Sequence, residues 1–437
     1  MARPTPAELI DEAPLSRLQI VVVALCITVS LLDGFDTQAI AFVAPSIARQ
    51  WSVSQFQFGF IFSATLLGSV IGSAIGGVLA DRIGRRKLVI ATTALFGLLT
   101  GACALAASYE QLLVFRLLGG IGMGGVIPNM IALASEYAPE RRRATIVTFT
   151  LWGFPFGAVL GGIAAGPLIA RFGWPAVFWA GAAAPLLLVP LLIVWLPESL
   201  RFLGLQEARR EEMRRLLHRI DPARAGRAEI EPPRDFHTRE RGHIRALFRS
   251  DLGRPALLIS MVMFLSLFLT YLLLNWVPTL LAQAGMSDTQ AILGAVALNL
   301  GGIAGSYGLA RLLDRRPRPA IFLAGGYACA AIAIGLASRG TSSAPVALAL
   351  LLLCGFFHIG TQLSTTAYSS GIFPVALRGT ALGLIQAIGR TGSLIGPVVG
   401  GALLSLGLTT ADLFRLAMLP AALCAVALYM LSRETTG

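Results

Sequence analysis

The sequence predicts an all-α membrane protein of twelve transmembrane helices, arranged as two six-helix, pseudo-symmetric bundles. Three observations predict it: the number of apolar runs, the sidedness of the arginines, and a repeat that relates the two halves. Of the 437 residues, 55% are hydrophobic and only 13% charged, with a mean hydropathy of +0.73. A soluble domain carries roughly twice that charge. Runs such as 88–107, 174–196 and 411–432 are long enough to cross a hydrocarbon core about 30 Å thick. In lipid, a helix satisfies every backbone polar group within one segment, so these runs are read as helices.

In chain order the spans are expected at 19–44, 56–80, 88–107, 111–133, 144–170 and 174–196, then 255–283, 289–313, 319–338, 345–369, 379–405 and 411–432. This leaves a tail at 1–18, a first bundle at 19–196, a polar linker at 197–254, a second bundle at 255–432 and a short tail at 433–437. The linker holds 14 Arg against 10 acids and is broken by Pro232 and Pro233. Its 206–219 stretch reads as a surface helix.

The net charge of +12 is not a nucleic-acid signature, because the basic residues alternate in sidedness. Arg82, Arg85, Arg86 and Lys87 follow span 2; Arg141, Arg142 and Arg143 follow span 4; Arg315, Arg316 and Arg318 follow span 8; Arg378 follows span 10. The opposite loops carry little beyond Arg49, Arg171, Arg339 and Arg415. By the positive-inside rule both termini and the linker face the cytoplasm. The N-terminus lacks a basic region of the kind that opens a signal peptide, so no cleavable signal is expected. The five cysteines (Cys26, Cys103, Cys329, Cys354 and Cys424) fall within apolar spans without metal-ligand spacing and read as small packing residues.

The halves repeat. Gly77-Val-Leu-Ala-Asp81-Arg82-Ile-Gly84-Arg85-Arg86 after span 2 is echoed by Gly308 to Asp314, Arg315 and Arg316 after span 8, and Asp81 and Asp314 are 233 positions apart. Arg143 and Arg378 are 235 apart, as are Gly157 and Gly392. Matches at nearly one offset indicate two bundles of the same orientation, and carriers built this way bind substrate near the midplane, at the repeat interface.

Within that frame a few residues are chemically expensive. Asp33 and Asp36 are three apart in span 1 and share a helix face. An intramembrane carboxylate costs several kcal/mol unless it is neutralised or paired, which marks it for function. Such a pair takes up and releases protons jointly, with Asp36 the expected proton switch and Asp33 its helper; the plainer reading is a structural pair that caps or packs. Gly34 between them lowers helix propensity and is a place for span 1 to bend. Arg116 in span 4 keeps its charge and needs an anion, with Asp36 the preferred partner and snorkelling to the surface the alternative. Arg390 in span 11 is suited to holding a substrate carboxylate, or else an ion pair within the second bundle. His358 in span 10 is either a coupling or substrate group or a satisfied core histidine. Asn275, Trp276, Gln362 and Tyr368 are candidates to line a pocket, against simple helix packing.

Gly77, Asp81, Arg82, Gly84, Arg85 and Arg86 form a tight turn at the basic end. With Glu136, Arg143, Glu198, Arg201, Asp314 and Arg378 they are candidates for a cytoplasmic gate of ion pairs; the plainer reading is a basic topological anchor. A phosphate-binding G-x-x-x-x-G-K-[ST] loop, an H-E-x-x-H motif and a Cys/His cluster are all missing from the sequence, so neither direct ATP drive nor enzymatic catalysis has support.

The stretch GVLADRIGRR resembles the signature loop of the major facilitator superfamily. Leu196-Pro197-Glu198-Ser199-Leu200-Arg201 resembles the P-E-S-x-R motif of its sugar-porter-like branches. Asp33-Gly34-Phe35-Asp36-Thr37 resembles the D-G-x-D motif of its aromatic acid:proton symporters, and Leu274 to Thr279 in span 7 and Gly389-Arg390-Thr391-Gly392 in span 11 also resemble stretches of that family. The chain departs from the pattern at Ala144 and Arg311. The resemblance covers nearly the whole chain. It implies the major facilitator fold and a secondary active transporter in the bacterial inner membrane. That transporter imports a benzoate-, hydroxybenzoate- or phenylpropanoate-like acid with protons as the coupling ion, without a cofactor, as a monomer in the lipid bilayer. Import of another organic acid or a sugar-like solute, and drug or metabolite export, are the competing classes. A non-transporting sensor is disfavoured, because the intramembrane charges would then have no task.

Overall fold

The computed structural model describes residues 5–222, 247–248, 252–313, 319–340 and 343–434. Among these, every regular element is helical. Twelve helices are long and apolar enough to cross a membrane. In order they are α2 (Arg17–Trp51), α3 (Gln55–Ile83), α4 (Arg85–Ala104), α5 (Tyr109–Glu136), α6 (Glu140–Phe172) and α7 (Pro175–Trp195), then α10 (Gly253–Gln283), α11 (Asp288–Leu313), α12 (Pro319–Gly340), α13 (Ala344–Ile372), α14 (Val375–Ser405) and α15 (Thr410–Glu434). Three short helices join them: α1 (Pro6–Glu12), α8 (Leu200–Leu205) and α9 (Arg210–Ile220). The surface helix expected at 206–219 corresponds to a 3₁₀ turn (Glu207–Arg209) followed by α9. Pro232, Pro233, Asp314, Arg315, Arg316 and Arg318 lie outside the described residues.

Local chemistry starts several of the long helices. A Ser-x-x-Gln signature recurs at Ser16/Gln19, Ser54/Gln57 and Ser287/Gln290. In each, the serine hydroxyl accepts from the backbone N–H of the glutamine, whose side chain accepts from the N–H of the serine in return. This reciprocal cap satisfies two donors that have no helical partner.

Contacts divide the chain into two compact units, and the division runs through helices rather than along the linker. The first takes α2 up to Thr37, α3 from Leu67, α4, α5, α6 up to Gly157, α7 from Phe178, and the short helices. The second takes residues 38–66 and 158–177 together with the last six long helices. Residues at the far ends of α2, α3 and α6 thus share a packing unit with α10 to α15. Arg49 of α2 meets Asp288 of α11 at 2.7 Å, and the Ser63 hydroxyl of α3 donates to the Leu394 carbonyl of α14 at 2.6 Å.

The core of the first unit joins Val22, Cys26 and Val29 of α2 to Met130 and Leu133 of α5, to Leu192 of α7, and to Leu203, Met213 and Leu217 of α8 and α9. The core of the second packs Ile259 and Met263 of α10 with Tyr327 of α12, Ile385 of α14 and Leu428 of α15. Four of the five cysteines are buried and all are free.

Repeated glycines do the same work in both halves. A Cβ at Gly34 would land on the Phe154 carbonyl of α6, and one at Gly157 on the Leu31 carbonyl of α2. In the second half a Cβ at Gly392 of α14 would land on the Phe264 carbonyl of α10. Gly34 is therefore a contact residue, and α2 runs through it as one continuous helix. Close backbone approach is the reason for glycine at these positions.

Candidate functional site

α2 presents both intramembrane carboxylates, 1% exposed at Asp36 and 5% at Asp33. They lie one turn apart, yet their surroundings differ. Arg116 of α5 donates from Nη1 to Asp36 Oδ2 at 3.0 Å and from Nη2 to the Asp36 carbonyl at 3.1 Å. Thr100 of α4 donates its hydroxyl to Asp36 Oδ1 at 2.5 Å. Arg116 is itself 2% exposed, so it does not snorkel. Asp33, by contrast, makes no hydrogen bond or ion pair with any described residue.

The sequence assembles this site through small residues. Gly34 and Gly157 seat α6 on α2, and Gly122 brings α5 against the Phe96 backbone of α4. On α4, Thr100 and Cys103 are three apart, with Thr100 on Asp36 and the Cys103 thiol beside Arg116. Both α4 residues escape a search for charged groups. The available signal is a hydroxyl and a thiol at helical spacing in the span that packs beside Arg116.

A buried pair of opposite charges in a low-dielectric setting attracts strongly, but desolvation offsets much of that attraction. Breaking the pair by removing one charge leaves the other stranded. Asp36, Arg116 and Thr100 therefore form a satisfied polar cluster. Asp33 lies one turn away, within the field of the same Arg116 but without a hydrogen bond or ion pair of its own among the described residues.

In the second half, His358 of α13 is fully buried. Its Nε2 lies 3.2 Å from the Ser266 carbonyl and 3.0 Å from Thr270 Oγ1, and Thr270 donates to Gln362 Oε1 at 2.9 Å. A carbonyl accepts only, so Nε2 carries the proton, and Nδ1 is left without a partner among the described residues. The Tyr327 ring stands edge-on to His358 at 5.9 Å and gives its hydroxyl to Ser266 Oγ at 2.9 Å.

The expected pocket residues divide. Gln362 belongs to the His358 cluster. Asn275 donates to the Tyr271 carbonyl of its own helix at 2.7 Å. Tyr368 is half-buried against the second core. Arg390 is exposed on α14. Trp276 is fully buried, its indole donating to the Pro397 carbonyl at 2.9 Å and its ring edge-on to Phe62 at 5.2 Å. It has no face left for a ligand in this conformation.

At the basic end, the organising acids are Glu136 and Glu198. Glu136 pairs with Arg85 and accepts the Ser199 hydroxyl at 2.6 Å. Glu198, 2% exposed, accepts from the backbone N–H of Arg86 at 3.0 Å and of Ser199 at 2.9 Å. Tyr137, in the turn after α5, donates its hydroxyl to the Glu198 carbonyl at 2.7 Å, and burial pushes that hydroxyl's pKa well above the usual phenol range. Gly84, with φ of +95°, makes the turn beneath Glu198 that most side chains resist.

Asp81 and Arg82 are exposed, and Asp81 has no hydrogen bond or ion pair among the described residues. The turn is tied instead through the backbone N–H of Arg86 and the side chain of Arg85. Gly77 is exposed with open space around it. The Arg143 Nε is buried without a partner among the described residues, Arg201 is half-buried, and Arg378 donates to the Phe373 carbonyl at 3.2 Å. Asp314 lies outside the described residues. Among the described residues, no group of three or more His, Cys, Asp or Glu could hold a metal ion.

Twelve helices long and apolar enough to cross a membrane, with a buried Asp–Arg pair between two of them, define a multi-pass membrane protein. The chain belongs to the Major Facilitator Superfamily, whose family model matches residues 26–397. It is 34% identical to the 4-hydroxybenzoate transporter PcaK of Acinetobacter baylyi, over 97% of this chain and 93% of that protein. It is 35% identical to a gallate transporter of Pseudomonas putida, over 96% of this chain and 93% of that protein. In three dimensions it is similar to the D-xylose-proton symporter, with a TM-score of 0.70 at 21% identity, covering 94% of this chain and 97% of that one. At that identity the likeness shows the fold.

Proposed function

We propose that the chain imports a hydroxybenzoate-type aromatic acid together with protons, by alternating access, across the bacterial inner membrane. The observation that carries the coupling is the contrast on α2: Asp36 locked to Arg116 and Thr100, and Asp33 buried one turn away in the field of Arg116, without a hydrogen bond or ion pair among the described residues. Asp33 is the proton carrier in this reading, and Asp36–Arg116 is the pair whose strength answers to its charge. The aromatic acid class follows from the two relatives, which are named for 4-hydroxybenzoate and for gallate. The excess of arginine on one side supports both termini and the linker being cytoplasmic.

The energetics explain why a proton is needed. An anion entering a cell with a negative interior is opposed by about 2.3 kcal/mol per 100 mV, roughly a fifty-fold exclusion. One proton moving with it cancels that term, and a second reverses it. Arg390 on α14 is the group proposed to hold the substrate carboxylate, as a planar cation suited to bidentate contact. Asn275, Gln362 and Tyr368 line the path, and the Nδ1 of His358 offers an acceptor to a protonated or hydroxylated ligand. Trp276 joins them only in a conformation that frees its ring. Glu136, Glu198, Arg85 and Arg86, with Gly84 at the turn, are the proposed cytoplasmic gate group of the first unit; Gly77, Asp81, Arg82, Arg143 and Arg201 belong to the same repeat, and by sequence Asp314 and Arg378 are the counterparts of Asp81 and Arg143 in the second. The chain works as a monomer.

The test is uptake by purified protein in proteoliposomes, across a panel of benzoate, 4-hydroxybenzoate, gallate, a phenylpropanoate, a dicarboxylate and a sugar. The reading predicts saturable uptake of the hydroxylated benzoates. Transport of the sugar or dicarboxylate alone would overturn the substrate class, and expulsion of preloaded acid with no uptake would overturn the direction.

A further inference from the structure

Pro278 sits inside α10 and has no N–H. The carbonyl four residues earlier, that of Leu274, therefore loses its helical donor, and in a membrane a freed carbonyl needs a replacement. Gln38 supplies it: its side-chain Nε2 donates to Leu274 O at 2.6 Å, and Gln38 is 4% exposed. Gln38 is two residues beyond Asp36 on α2, so the two side chains leave nearly opposite faces of the helix. One face of α2 thus grips Arg116 of α5 and the other grips the proline-vacated carbonyl of α10. The Gln38 contact belongs to the same packing unit as Ser63 on Leu394, Trp276 on Pro397, and Arg49 on Asp288.

We propose that Gln38 is a positioning residue of the transport cycle. Its bond to Leu274 O latches α2 to α10 at the end remote from the arginine-rich turns, and its release lets a change at the Asp36–Arg116 pair open that end. The choice of partner gives the bond its switching character. A helical N–H would hold Leu274 O permanently, because it moves with α10. An amide borrowed from α2 holds it only while α2 and α10 stay together. The bond adds nothing to the stability of α10 alone, and its full effect falls on the equilibrium between conformations. The proposal rests on the alternating-access reading above, and not on the proton or the substrate.

The experiment reads conformation directly, without transport. In a chain whose five cysteines are replaced by alanine, Ser63→Cys is labelled by a membrane-impermeant maleimide in right-side-out and inside-out vesicles. Ser63 is covered by α14, so it reacts when α3 and α14 part. Gln38→Ala should speed labelling from the remote side about tenfold, the effect of leaving one buried acceptor unpaired in the latched state. Pro278→Ala returns a helical N–H to Leu274 O, and in that background Gln38→Ala should change the rate less than about twofold. A Gln38→Ala effect of the same size in both backgrounds, or no effect in either, overturns the latch. Gln38→Asn, which keeps the amide on a shorter stem, should fall between the parent and Gln38→Ala. Labelling that responds as expected while the substrate panel fails would retain the latch and discard the substrate assignment.

Discussion

Arg116 and Asp36 form an ion pair of which neither side chain is more than 2% exposed, with the guanidinium reaching the carboxylate and the backbone carbonyl of the same residue. Because both charges are buried, removing either one is worse than removing both. Asp36→Asn and Arg116→Gln should each destabilise the detergent-solubilised protein by about 3–5 kcal/mol, and the double variant by clearly less than their sum. Thermal unfolding of the three variants beside the parent checks this; simple additivity would show that the pair does not interact.

Asp33 has no such partner, and its expected phenotype is different. Asp33→Asn should fold normally and exchange labelled for unlabelled substrate across the membrane, because exchange requires no net proton movement. It should fail to accumulate substrate against a gradient, and its exchange rate should vary little with pH. Counterflow and gradient-driven uptake measured on the same vesicles separate the two outcomes.

The glycine contacts predict intolerance to bulk. Gly157→Leu would put a side chain onto the Leu31 carbonyl, where the neighbour is backbone and cannot swing aside. Gly392→Leu meets the Phe264 carbonyl in the second half in the same way. Both should abolish a monodisperse peak in size-exclusion chromatography, whereas Gly371→Leu, at a position with open space around it, should not.

At the basic end, Tyr137 gives a pH signature. Its hydroxyl holds its proton to higher pH in the folded protein than in the unfolded chain, because burial raises its pKa. Above about pH 10 the unfolded state therefore binds fewer protons, and stability falls as pH rises. Tyr137→Phe should cost about 1 kcal/mol at neutral pH, by removing the bond to the Glu198 carbonyl. It should also flatten the alkaline loss. Unfolding midpoints at pH 7 and above pH 10 test both effects.

Much of this was legible in the sequence because membrane physics is severe. Apolar runs, arginine sidedness and the near-constant repeat offset each have a single economical reading. Asp36 and Arg116 stood out because charge inside lipid is rare. What escaped was neutral or conformational. Thr100 and Cys103 carry no charge and look like packing residues. Gln38 is an ordinary polar residue until Pro278, far away in sequence, vacates a carbonyl. Asp81 drew attention through its motif, but Gly84 turns the chain so that backbone N–H groups, invisible to a side-chain search, meet Glu198. Trp276 suggests a pocket lining by its residue type alone, whereas its N–H needs a carbonyl and finds one at Pro397.

In the proposed cycle, α2 couples protons to an aromatic acid. The most direct measurement is accumulation of labelled 4-hydroxybenzoate in proteoliposomes with an acid-outside pH gradient, with and without a protonophore. Accumulation above equilibrium is expected, and the protonophore and Asp33→Asn should each abolish it. Accumulation that survives the protonophore, or that Asp33→Asn sustains at the parent level, would contradict that coupling.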